Sequence, residues 1–183
     1  MAQNKQTREL FDVFVEELLA ERSARPLIII GTSKIDNLLL EILRAFLKPK
    51  LAKGNNQDEL LEGDTPLGTF SSRIKICRRL GLIDETLFDA IDRLRQIRNL
   101  SAHSISFNHT TAPVKDHITL FKGLMINRPS FKLTKERYFE ADTLQSTEEI
   151  QCLLLTVCVL LEAIRVKIKP TAGNKNALNI SAK

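Results

Sequence analysis

The chain has 183 residues, 43% hydrophobic and 27% charged, enough for one well-buried domain and too polar for a membrane bundle. Its 27 Lys and Arg against 22 Asp and Glu give a formal charge of +5, which permits an anionic partner without demanding one. No Trp, one Tyr and seven Gly argue against a sandwich of short aromatic strands, while Leu-rich runs favour helices.

The first predicted element runs from Arg8 to Glu21. Leu10, Phe14 and Leu18 recur at i, i+4 and i+8 with Phe11 and Val15 beside them, and Thr7 stands where a cap is needed. Pro26 suits the first turn of a long buried helix ending near Leu47, with Ile35, Leu38, Leu39, Ile42, Leu43 and Phe46 on its apolar face. The Leu27-Ile28-Ile29-Ile30 start is also compatible with a strand; Gly31 lets a neighbour approach closely. Lys48 to Gln57, with Pro49 and Gly54, reads as a loop.

Leu60 to Phe70 is a turn that hands over to a helix from about Thr69 to Leu80, stopped by Gly81. Gly63 and Gly68 have P-loop-like spacing, but Thr69 occupies the lysine position, so a turn and cap is the better reading. Asp84 caps a helix from Glu85 to about Ala102, followed by a break around Ser104 to Thr111. Val114 to Met125 fits helix or strand. Thr147 to about Ile168 is a helix with Glu148 and Glu149 at its positive end. The expected architecture is therefore one all-α domain over residues 1–169 and a disordered basic tail over 170–183.

Cys77, Cys152 and Cys158 lie in apolar surroundings with no CxxC pair, which argues against a zinc ribbon and for a reducing cytoplasm. No apolar stretch precedes Leu10, and the run Cys152 to Leu161 is too short for a bilayer, so a cytoplasmic protein without a signal peptide is expected.

The chemistry concentrates in Arg95-Gln96-Ile97-Arg98-Asn99-Leu100-Ser101-Ala102-His103. At 100° per residue Arg95, Asn99 and His103 form one stripe, and Arg98 lies one ridge away. An imidazole titrates near neutrality, so His103 can take the proton of a 2′-hydroxyl or protonate a leaving 5′-oxygen. Arg98 can stabilise charge on the phosphate and Asn99 can orient either group. Such a cyclising cleavage needs neither metal nor cofactor. The plain alternative is a histidine cation at a helix C-terminus with ordinary surface polar residues around it. Arg73, Lys75, Arg78 and Arg79 crowd one short helix, a solvated face or a phosphate track for nucleic acid leading to Arg98.

Leu61 to Ile74, Leu80-Gly81-Leu82-Ile83 and Ile97 to His103 resemble, in that order, the mannitol operon repressor family; Phe11 to Leu19 and Ile35 to Leu47 are similar as well. The resemblance spans about Phe11 to Phe107 and implies an all-helical bacterial regulator. Arg98-Asn99-x3-His103 also resembles the signature of HEPN domains, helical proteins that often act as metal-independent ribonucleases. That resemblance implies a homodimer with both motifs in one cleft and Arg98, Asn99 and His103 acting on RNA; the charge pattern adds Arg95, with Arg73, Lys75, Arg78 and Arg79, as expected nucleic-acid contacts. Two readings follow. One is an endoribonuclease serving as toxin, defence effector or regulator, with an antitoxin or regulatory protein as partner. The other is a non-catalytic repressor working through operator DNA or a protein partner.

Overall fold

Among the described residues all regular structure is helical: α1 Ala2–Ala20, α2 Ala24–Phe46, α3 Phe70–Arg79, α4 Glu85–His103, α5 Val114–Met125, α6 Pro129–Tyr138 and α7 Ser146–Lys167. The computed structural model describes residues 2–47, 58–104, 107–140 and 143–169, with side chains from Glu9 onward. The expected loop at Lys48 to Gln57 and the expected tail at 170–183 lie outside the described residues.

Helix α7 is the axis. Every residue from Ile150 to Cys158 is buried, the pattern of a helix surrounded on all sides. Helix α2 lies along it, and α1, α5 and α6 cover the remaining sides. Helices α3 and α4 pack on the other flank of α2, and α5 joins α4 back to α7. Close contact between the two central helices depends on Gly31, where a Cβ would stand 2.7 Å from Leu154 Cδ1.

Local chemistry sets the boundaries. The Leu27 to Ile30 run is helical, because burial of Leu27 and Ile28 continues the helical stripe through Ile35, Leu38 and Leu39. Thr69 and Ser72 form a reciprocal capping box at α3, at 3.2 and 3.3 Å. Gly81 ends α3 at φ +68°, with its N–H and that of Leu82 closing on the Arg78 and Cys77 carbonyls at 2.9 Å. The Asp84 carboxylate accepts from the Leu87 N–H at 2.7 Å and starts α4.

Two elements depart from sequence expectation, and one that was open between helix and strand is decided. Helix α1 begins at Ala2, so Thr7 falls inside it rather than at its cap. Val114 to Met125 is a helix, its face defined by Val114, Phe121 and Met125. Helix α6 had no counterpart, since only Phe131 and Thr134 are buried while Leu133 is 65% exposed, leaving almost no helical period to detect. Pro129 at its first turn is the one signal for it.

Two buried polar groups tie the helices together. Gln151 of α7 donates to the carbonyls of Leu18, Leu19 and Glu21 at 3.0, 3.1 and 3.0 Å, covering the C-terminal end of α1. Arg73 of α3 does the same for the turn before its own helix. No helix among the described residues is long and apolar enough to cross a membrane.

Candidate functional site on helix α4

Helix α4 buries Leu87, Ala90, Ile91, Leu94, Ile97 and Ser101, which leaves the opposite arc to solvent. That arc carries Asp92, Arg95, Asn99 and His103 in one stripe. Asn99 and His103 are exposed, Arg98 is half-buried on the flank, and no described residue bonds the side chains of these three. Ser101 is buried and its hydroxyl donates to the Arg98 carbonyl at 2.7 Å. The motif thus lies on the solvent side of α4, with Asn99 and His103 exposed and Arg98 half-buried.

Arg95 is partly committed. Its Nε donates to Asp92 at 2.7 Å, and the other Asp92 oxygen accepts from Gln96 at 2.7 Å. Burial would raise the Asp92 carboxyl, but the hydrogen bonds from Arg95 and Gln96 and the nearby charges of Arg95 and Arg93 hold it below its ordinary value. One contributor escaped the sequence reading. Arg25, at the start of α2, donates to the Ser104 carbonyl at 2.7 Å and holds the end of α4 beside His103. No periodicity links positions 25 and 104; only the packing of α2 against α4 brings them together.

The basic residues of α3 divide. Arg73 is no part of a phosphate track: it is 8% exposed, and its guanidinium pairs with Asp36 at 2.7 Å. Its other donors reach the carbonyls of Leu67, Leu61 and Gly68 at 3.1, 2.9 and 3.0 Å. Lys75, Arg78 and Arg79 do face solvent and share a groove with Glu85 and Phe88. That groove lies at the wrong end of α4 to feed the motif. Fifteen residues separate Phe88 from His103, about 22 Å along the helix at its ordinary rise.

Other chemistry is muted. Among the described residues no group of three His, Cys, Asp or Glu could hold a metal ion. His109 meets Ser146 at 3.2 Å, away from any such cluster. The three thiols are buried and free. Desolvation pushes Cys77 and Cys158 up to about 12 and Cys152 to about 11, so none is a nucleophile at neutral pH.

The helical arrangement wound on a central buried helix has solved counterparts. The chain shares the fold of MtlR. The Escherichia coli MtlR structure, solved in complex with HPr, matches with a TM-score of 0.58 at 19% identity, over 84% of this chain and 97% of that one. YggD from Shigella flexneri, described as a possible transcriptional regulator, matches with a TM-score of 0.54 at 15% identity, over 85% of this chain and 94% of that one. No family model matches the chain, and no curated protein matches it by sequence. A likeness to MtlR confined to Phe11 to Phe107 would cover little over half of the chain. At 84% of the chain, the shared fold therefore extends past Phe107 into the C-terminal part, where the sequence resemblance fades.

Proposed function

We propose that the chain is a regulatory protein that works by docking a macromolecular partner, a protein of the HPr kind foremost, rather than by turning over a substrate. The observation that carries this reading is the fold shared nearly end to end with MtlR, solved together with HPr, and with YggD. The exposure of Asn99 and His103 on the α4 stripe supports it, since an exposed helix face suits a partner surface better than a small substrate. Titration calorimetry of the purified chain against an HPr-type phosphocarrier tests it, with gel shifts on DNA from upstream of its own operon as the second arm. A complex in either arm is expected. Silence in both sinks the regulator reading.

A second reading keeps metal-independent RNA cleavage, because Asn99 and His103 are exposed without a protein partner and Arg98 lies one ridge away. One histidine cannot easily serve as base and acid in the same turnover, so this reading requires a homodimer with two motifs facing one RNA. Arg98 would stabilise the phosphate, Asn99 orient it, and His103 move the proton, with Arg25 and Arg95 supporting the ends of the stripe. Cleavage of structured RNA in EDTA, lost in His103→Ala, is the expected result. Absence of cleavage by a wild-type dimer ends it.

A further inference from the structure

The groove between the C-terminal half of α3 and the first turns of α4 has a volume of about 570 Å³ and is lined by Lys75, Arg78, Arg79, Glu85 and Phe88. Its one acid is already used. Arg78 engages Glu85 through two bonds, Nε to Oε1 at 2.8 Å and an Nη2 contact with Oε2 at 2.7 Å. The same guanidinium lies over the Phe88 ring, 4.6 Å from its centroid, so an aromatic face and a carboxylate both hold it. Two of its five donors are thereby spent and three stay available.

Lys75 and Arg79 complete the lining. They stand one helical turn apart on the same side of α3, both are exposed, and no described residue pairs with either. The helix dipole accounts for Arg78 and Arg79 in the last turn but not for Lys75 a turn earlier. Once the Arg78–Glu85 pair is cancelled, the lining keeps two cations that no described residue pairs with, Lys75 and Arg79, and the Asp89 charge acts on Arg78. Those two cations match one phosphate monoester, which carries roughly −1.5 to −2 at neutral pH with three acceptor oxygens.

The positive region is also short. Asp84 caps α4 beside the groove, and Asp89 and Asp92 follow on the second turn of α4, with Asp89 near enough for its charge to act on Arg78. A duplex, with one charge per roughly 1.7 Å of axis, would have to run past those carboxylates. A compact anion would not. We propose that the α3–α4 groove is a binding site for a single phosphoryl group, carried by a small phosphate ester or by a phosphorylated side chain of a partner, with Lys75 and Arg79 as its mobile donors and Arg78 as the fixed one. This inference does not rest on the regulator reading and leaves it standing if it fails.

The test is a ¹H–¹⁵N titration of the full chain with inorganic phosphate and then with a phosphoserine peptide, at ionic strength held constant with chloride. Saturable shifts confined to Lys75 through Phe88 are expected, weakened roughly tenfold or more in Lys75→Ala/Arg79→Ala. Should that variant fold poorly, Lys75→Gln/Arg79→Gln replaces it. A peptide that binds more tightly than phosphate assigns the group to a protein partner, and equal affinity assigns it to a small ester. The proposal is overturned by shifts that chloride reproduces, by binding that survives both double substitutions, or by duplex nucleic acid saturating the groove below the peptide's concentration.

Discussion

Arg73 of α3 and Asp36 of α2 meet at 2.7 Å where two helices and a turn converge, and the arginine is 8% exposed. Three carbonyls of the preceding turn accept from three of its other donors. Arg73 therefore organises the Leu61 to Thr69 turn rather than reading a ligand. Removing one partner of such a pair strands the other and orphans the carbonyls. Arg73→Ala should cost about 3 kcal/mol, a melting-temperature fall on the order of 10 °C. Arg79→Ala, fully outside this network, should stay within about 0.5 kcal/mol of wild type in the same thermal scan.

Gly31 and Leu154 make a signed prediction. A methyl at Gly31 gains about 1 kcal/mol of helix propensity but would press on Leu154 at 2.7 Å. Leu154 is fully buried and has nowhere to yield. Gly31→Ala should therefore destabilise the wild type by about 1 kcal/mol, yet stabilise a Leu154→Ala background, where the methyl refills part of the cavity. Urea denaturation of the four proteins gives the cycle; the same sign in both backgrounds would refute the contact.

Asp84 caps α4 and also receives the Arg128 guanidinium at 2.6 Å. Burial would raise its carboxyl, but the bonds from Arg128 and from the Leu87 and Thr86 N–H groups, with the Arg128 charge, bring it below the ordinary 3.8; Asp92 is lowered likewise. Both groups ionise at lower pH when folded than when unfolded. Their stabilisation is thus complete above about pH 5 and drains away as pH falls through the folded values. Asp84→Ala should lose about 1 to 2 kcal/mol at pH 7 and much less at pH 3, read by thermal melts across that range.

Buried Cys77, Cys152 and Cys158 should resist alkylation. With thiols pushed up by desolvation, iodoacetamide at pH 8 should label the folded chain at least about a hundredfold more slowly than the chain in guanidinium. Mass spectrometry counts the adducts, and rapid labelling of any one thiol in the folded state would contradict its burial.

Asn99→Ala and His103→Ala should leave stability unchanged within about 0.5 kcal/mol, because both side chains are exposed and bond no described residue. Any loss of partner binding or RNA cleavage in these variants then reports on the surface itself, provided the thermal melts coincide with wild type.

Periodicity and caps were enough to place α2, α3, α4 and α7, because in each a continuous apolar face meets a recognisable boundary residue: Thr69, Gly81 and Asp84 among them. They were not enough for α6, whose ten residues bury only two side chains, nor for the start of α1. The stripe Arg95, Asn99 and His103 was likewise legible, since a shared helix face follows from spacing alone.

What spacing could not supply was partnership across the chain. Arg73 and Lys75 look alike in sequence, and only the approach of Asp36 from α2 turns the first into a buried tie while the second stays in the groove. Arg25 reaches Ser104 over 79 positions, and Gln151 reaches Leu18 over 133, distances at which no local pattern survives. Composition and periodicity determined an all-helical chain with a polar face on α4. Tertiary packing alone decided which of its cations were consumed by the interior and which were left for a partner, because burial and pairing belong to the contact between helices and not to any one of them.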